Sequence, residues 1–309
     1  MADSSIVLIA AQGVSASASY LYASLGEAFG QRSGVFNLGV DGIMLMGAFT
    51  AFYTVYNGQS PLVGVLAAAL VGAAMGLLMA FISVTLKAEQ GISGIGLYMF
   101  GLGLSTLLFD TLIKSVRPID HGFDKLPIPV LSTIPVIGPI LFNQNLMVYG
   151  ALLLVPISWF VLNKTTLGLN IRAAGQNPQA ADAMGVNVAL VRYFAVTFGG
   201  TMAGIAGASL SIAQTNIFQQ NMTNGIGFIA VALVYFGGWS PIGILGGTLL
   251  FSVVTTLQLW IQTLGVPISP SLISMLPSVV TIIALVLAVY FYRTQAPSAL
   301  GQPYRRDEN

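Results

Sequence analysis

The chain has 309 residues, 55% hydrophobic and only 7% charged, with a mean hydropathy of +0.84. A soluble domain carries about 25% charged residues, so no ordinary water-facing surface can be assembled, and a net charge of +1 without a basic stripe points to no nucleic-acid partner. With no Cys, disulfide and thiolate chemistry are excluded, and one His leaves little for a metal site.

Several runs exceed the roughly 18 apolar residues needed to cross a hydrocarbon core. The composition predicts an all-α polytopic membrane protein with about nine transmembrane helices (8–10) and short re-entrant or broken elements. Residues 1–295 read as a single transmembrane domain, and 296–309 as a polar, mobile cytoplasmic tail. Met1–Ser5 has no basic n-region and no cleavage pattern follows, so the first apolar run reads as a retained helix.

In chain order, the first helix is expected over about 5–28, rich in the small residues that suit packing among helices, and residues 29–42 break the pattern. Further helices are expected over about 41–57, 61–87 and 91–113. The connection 114–145 holds Pro118, Pro127, Pro129, Pro135 and Pro139 and is not one continuous helix. Spans follow at about 146–163 and 190–214, then a short segment at 224–237, then spans at about 241–264 and 271–292.

Between 163 and 192 lies a polar island of about 30 residues. At its centre Asn177 can cap the free N–H groups of a short helix, and Pro178 suits the first helical position. Ala180, Ala181 and Ala183 favour helix, Asp182 and Met184 follow, and Gly185 can end it in the left-handed conformation. With this loop placed inside, Arg32, Lys87, Lys164, Arg172, Arg192, Arg293, Arg305 and Arg306 fall inside too, eight of the eleven basic residues, against Lys114, Arg117 and Lys125 outside. That charge balance predicts a cytoplasmic loop 163–192, a cytoplasmic C-terminus and an outside N-terminus. A re-entrant 224–237 would change the parity.

Three constellations could carry a pathway. Glu27, Arg32, Asn37 and Asp41 punctuate a Gly-rich strip apolar enough to sit in the membrane, where charges are costly and tend to mark pathways. A cytoplasmic turn whose charges merely fix helix ends is the alternative. Gly225–Phe228 and Gly237-Gly238-Trp239-Ser240-Pro241 through Gly247 suggest discontinuous spans, against simple small-residue packing. Among the polar residues of the spans (Ser83, Ser93, Ser105, Thr106, Ser211, Gln214, Asn216, Thr255), most can bond their own helix backbone. Gln258 and Gln262, four apart on one helix face, are the better pathway pair. His121, beside Asp120 and Asp124 in the Pro-rich loop, reads as solvated or loop-tethering, because a metal would need more ligands. No hydrolase elbow, zincin helix, dinucleotide fingerprint or phosphate loop occurs, so any ATP that drives this protein binds another chain.

The strip Arg32-Ser-Gly-Val-Phe-Asn-Leu-Gly-Val-Asp-Gly-Ile-Met-Leu-Met-Gly47, the stretch Arg172-Ala-Ala-Gly-Gln-Asn-Pro-Gln-Ala-Ala-Asp-Ala-Met-Gly185, and Gly225–Gly247 resemble the permease subunits of ABC importers. The branch is that of branched-chain amino acids, simple sugars and nucleosides, nearest the nucleoside or simple-sugar permeases. The resemblance runs over about residues 20–290. It implies a fold like that of the vitamin B12 importer's membrane subunit. It also implies a cytoplasmic ATPase that uses ATP and Mg, with no cofactor bound by this chain. A second permease, identical or homologous, and an extracytoplasmic substrate-binding lipoprotein or periplasmic protein complete the assembly. The location implied is a bacterial-type inner membrane with its lipid. In such systems the short helix after Asn-Pro is the coupling helix, here about 177–185. Replacing Ala181 or Met184 with Asp is then expected to abolish substrate-stimulated ATPase activity while sparing membrane insertion. Glu27, Asn37 and Asp41 stand as gate or pathway candidates. Competing readings are an ion-coupled secondary transporter using Glu27 or Asp41, a non-transport scaffold subunit, and an intramembrane enzyme, for which no nucleophile–base pair is visible.

Overall fold

The helices follow directly from the hydropathy runs and their punctuation. The computed structural model describes residues 2–119, 121–129, 131–264, 269–291 and 296–304. Helix α1 (Ala2–Arg32) leads into α2 (Val40–Tyr56), α3 (Pro61–Ala80) and α4 (Gln90–Leu112). After the Pro-rich connection come α6 (Leu146–Lys164), α7 (Thr166–Gln176), α8 (Pro178–Ala183) and α9 (Val188–Ala208). The chain closes with α10 (Ile226–Phe236), α11 (Pro241–Thr263), α12 (Pro270–Ser274) and α13 (Leu276–Phe291). Among the described residues, six helices are long and apolar enough to cross a membrane, and Val40–Tyr56, Ile226–Phe236 and Ser271–Ile283 are shorter apolar helices.

Three differences from the sequence expectation have clear causes. Helix α1 runs on to Arg32 instead of stopping near 28, because its last turns pack against other helices that keep Glu27 and Gln31 buried. The expected loop around 163–192 contains a second helix, α7, started by the Thr165 hydroxyl, which accepts from Gly168 N. Finally, α3 and α9 each end in a π turn, at Phe81–Thr85 and Ser209–Gln214.

Glycine decides the centre of the bundle. Gly47 of α2 and Gly72 of α3 both lie against Gly204 of α9, while Gly76 and Gly200 meet one turn away. A methyl group at Gly47 or Gly200 would strike backbone atoms of the neighbouring helix. Lipid supplies no hydrophobic drive for helix association, so backbone approach of this kind is what dispersion and packing can use. The buried apolar cluster around this seam takes in Leu21, Leu25, Ile43, Met44, Met79, Val196 and Ile244.

The Pro-rich connection is an ordered cap over one end of the bundle. Strand β1 (Lys125–Pro127) pairs antiparallel with β2 (Asn143–Asn145), and the short helix α5 (Ile137–Leu141) sits between them. The last carbonyls of the π turn that ends α9 have no partner within the helix, and the cap takes them. Phe123 N donates to Ile212 O at 3.0 Å, and Asn145 Nδ2 to Ala213 O at 2.9 Å. Gln144 Nε2 adds a bond to Ala11 O. Lys114, Arg117 and Lys125 therefore share the end of the bundle that holds Asn57 and Asn216, where Arg117 reaches Tyr56 and Ile119 N meets Asn216 O.

The opposite end gathers Arg32, the α7–α8 segment, Trp239 and residues 296–304. This corrects the expectation of a mobile tail. Pro297 and Ala299 are buried and Leu300 packs on the core, because the segment's backbone hydrogen-bonds to Gly34 and Gly175. Arg293, Arg305 and Arg306, counted in the charge argument, lie outside the described residues, as do Asp120 and the remainder of the tail.

Candidate functional site

The strip between α1 and α2 becomes a buried hydrogen-bond lock. Glu27, 3% exposed, lies one turn before Gln31 on α1, so Gln31 Nε2 donates to Glu27 Oε1 at 3.1 Å. The chain turns back after Arg32, bringing Asn37 N to the same oxygen at 3.1 Å. Asn37 in turn accepts from Gly39 N at 2.8 Å, which fixes the entry into α2. Trp239, in the Gly-Gly-Trp-Ser-Pro turn between α10 and α11, donates its indole N–H to Gln31 Oε1 at 2.8 Å. Its carbonyl accepts from Arg32 Nε at 2.8 Å, and Gln90 at the start of α4 accepts from Phe36 N at 2.8 Å. Four elements are thus tied through one small polar cluster in an apolar setting, where each bond is stronger than in water.

Asp41 forms a second tie nearby. It is fully buried, accepting from Thr223 Oγ1 at 3.0 Å and from Gly227 N at 2.7 Å. Gly227 lies in the first turn of α10, so the Asp41 carboxylate caps a helix N-terminus that would otherwise have free N–H groups. Gly227 sits hard against the Asp41 backbone, leaving no room for a side chain there. From Thr215 to Gly225 the chain is irregular, with Asn216, Asn221 and Asn224 at positive φ. Phe218 is buried among Phe49, Phe52 and Phe109. A non-helical stretch therefore precedes the 11-residue α10, with Phe218 and Thr223 buried and Thr215, Gln219, Gln220, Asn221 and Asn224 exposed.

The α7–α8 segment presents the reverse arrangement. Asn177 Oδ1 accepts from Ala180 N at 3.0 Å, Pro178 occupies the first helical position, and Gly185 takes φ +85°. Helix α8 itself is six residues long, shorter than the expected 177–185. Gln179, Ala180, Ala183 and Gly185 are exposed, Asp182 is half-buried, and Met184 is 85% exposed. Ala181, 5% exposed, points the other way, into a cluster with Ile171, Val188 and Val191. Of the two positions named for replacement by Asp, Met184 lies on the outer face and Ala181 does not.

Glu27 and Asn37 are brought together directly, and Asp41 stands beside them on α2. The glutamines of α11 are not part of this cluster. Gln262 is exposed and bonds Ser274, and Gln258 lies toward the same far end of α11. Ser93, Ser105, Ser211 and Thr255 each bond a carbonyl three or four residues back in their own helix. His121 lines a small cavity of about 190 Å³ with Val55, Tyr56 and Gln59. Among the described residues, no three His, Cys, Asp or Glu side chains gather as a metal site would require.

Sequence reasoning missed Gln31, Thr223, Trp239 and Arg192 as partners. Gln31 had a signal, its spacing of four from Glu27 on a helix. Thr223 and Trp239 had none, because their bonds span 182 and 208 residues. The Glu27 carboxylate, the Gln31 amide and the Trp239 indole pair with protein groups, and Gln90 Nε2 is buried without a partner among the described residues, so the arrangement ties helices to one another.

No solved structure matches this chain. Known sequences do. The guanosine ABC transporter permease protein NupQ of Bacillus subtilis is 37% identical over 295 residues, covering 91% of each chain. The nucleoside ABC transporter permease protein NupC of Lactococcus lactis is 35% identical, covering 92% of each. A Haloferax volcanii ABC transporter permease, assigned provisionally to glucose by its name, is 36% identical over 95% of this chain and 96% of its own. The family described as branched-chain amino acid transport system / permease component matches residues 9–285, and the chain belongs to that family of membrane-spanning permeases.

Proposed function

We propose that this chain is the permease subunit of an ATP-driven ABC importer that carries a nucleoside-like solute into the cytoplasm, with a simple sugar as the second reading. The observation that carries the mechanism is α8: an exposed, self-capped helix on the end of the bundle that also holds Arg32, Arg172 and Arg192. The positive-inside rule places that end in the cytoplasm. Of the three relatives above, two are named for nucleosides and one for a sugar.

On this reading residues 1–295 form one transmembrane domain that crosses nine times, with the N-terminus outside. Eight passes are the apolar helices α1, α2, α3, α4, α6, α9, α11 and α13; the ninth is the broken segment ending in α10. The fold is of the vitamin B12-importer kind. A cytoplasmic ATPase using ATP and Mg docks on the Asn177–Gly185 segment, a second permease completes the pathway, and an extracytoplasmic binding protein delivers solute to the capped end. Paired permeases are consistent with the relatives, since a second guanosine permease of B. subtilis, NupP, is 28% identical to this chain. ATP binding biases two permease states because the docked helix is contacted differently in each. Glu27, Asn37 and Asp41 act as the gate's interlock, not as solute ligands.

The test is Met184→Asp in the reconstituted complex. Substrate-stimulated ATPase and transport are expected to be lost with an unchanged melting temperature, and intact coupled transport would sink the docking assignment. Mass spectrometry of the solute held by the co-purified binding protein decides between nucleoside and sugar.

A further inference from the structure

Residues 296–304 lie across three separate elements at the α8 end of the bundle. Ala299 N donates to Gly175 O at 2.9 Å, and Gly301 N to Gly34 O at 3.1 Å. The Ser298 hydroxyl reaches Gln176 Oε1 at 3.0 Å. Arg192 of α9 holds the assembly from within: its Nε donates to Ser33 O and its Nη1 to Gln302 O, both at 3.1 Å. Arg192 is 1% exposed, and its Nη2 has no hydrogen-bond partner among the described residues.

A buried cation bonded to backbone carbonyls is an expensive way to add stability. What it does specify is the relative position of two chain segments remote in sequence. The contact beneath it has no slack either. Gly175, two residues before Asn177, is pressed against Arg32 O and Gly34 N so closely that a side chain would not fit. Gly34 belongs to the strip whose two ends, Glu27 and Asn37, form the lock with Trp239 through Gln31.

We propose that residues 296–304 and Arg192 form a clasp that makes α8 and the Arg32–Asn37 connection move as one body, so that displacement of α8 by the ATPase reaches the Glu27–Gln31–Trp239 lock. The clasp rests on the docking reading of α8. Arg192 is a positioning residue, and the tail is a transmitting part, not a solubility tag. Close-packed backbone and cross-element hydrogen bonds pass on a displacement where a flexible linker would absorb it.

The reconstituted complex tests this with two truncations and one cross-link. A chain lacking 305–309 is expected to behave as wild type. A chain lacking 297–309 is expected to assemble and hydrolyse ATP, with solute moved per ATP reduced at least about tenfold, the scale of an ordinary coupling energy. The chain has no cysteine, so Gln176→Cys with Ser298→Cys makes a unique pair. Joining that pair with a short linker that forms a disulfide with each thiol, and is therefore released by reductant, is expected to leave transport intact, because the clasp stays shut throughout the cycle. Full transport by the longer truncation, or transport lost on cross-linking and regained on reduction, overturns the proposal; the cross-link arm decides it if the truncated chain fails to assemble. Uncoupling by the truncation with intact transport in Met184→Asp overturns the docking assignment instead.

Discussion

The strip from Glu27 to Asp41 and the segment from Asn177 to Gly185 are both polar interruptions between apolar helices, yet they end in opposite environments. The first is buried and the second largely exposed. The difference lies in where their hydrogen bonds go. Asn177 satisfies a donor three residues away, so α8 closes its own N-terminus and can face water or a partner. Asp41 finds its donors at Thr223 and Gly227, so it can be satisfied only inside the assembled bundle. Local satisfaction permits exposure, whereas remote satisfaction requires burial.

Substitutions can break this contrast in graded steps. Asp41→Ala leaves the Thr223 hydroxyl and the Gly227 N–H buried without an acceptor, a loss of about 3 kcal/mol given the usual penalty for unsatisfied buried donors. Thermal melting in detergent should show it, and Asp41→Asn, which keeps one carboxyl-type oxygen, should lose less. Equal melting of the alanine and wild-type chains would refute the idea that Asp41 ties α10 to α2.

Ala181→Asp puts a carboxyl group among Ile171, Val188 and Val191, at a destabilisation of about 2 kcal/mol for an unpartnered buried polar group. Its melting point should fall clearly below that of Met184→Asp, whose site is exposed, and coincident melting curves would show the two residues share a face. Asn177→Ala removes only a local cap and should lose about 1 kcal/mol. Amide hydrogen exchange at Ala180 should speed up, with the lock around Glu27 undisturbed.

The smallest effect is expected at Glu89, between α3 and α4. Its carboxylate accepts from Ile92 N and Gly91 N at the start of α4, and these bonds hold its pKa below the ordinary glutamate value. A depressed folded-state pKa adds stability above the unfolded value and loses it as pH falls through the folded one. The melting difference between wild type and Glu89→Gln should therefore be full near neutrality and vanish in acid below the usual glutamate range. A pH-independent difference would argue against the cap.

Much of the candidate site was legible in the amino-acid order. Asn177, Pro178 and Gly185 announce α8 because capping is decided within a few residues, and Glu27, Asn37 and Asp41 stand out because ionisable groups are rare in apolar surroundings. Two misreadings come from contacts that no local pattern encodes. The tail is polar in composition, yet its backbone is claimed by Gly34 and Gly175. Ala181 lies in the six-residue α8 and Met184 caps its C-terminus three residues on, and which of them faces inward depends on α9.

The amino-acid sequence by itself determined that the chain lives in a membrane, roughly where its long apolar helices fall, and that a short capped helix interrupts them. Those outcomes rest on hydrophobicity and on hydrogen bonds closed within one helical turn. Only the tertiary structure decided which glycines become contact points, which partners Gln31 and Asp41 receive from afar, and how Arg192 binds residues 296–304 to the α8 end. Those depend on bonds between residues over a hundred positions apart, such as Arg192 with Ser33 and Gln302, and they exist only once the helices have packed.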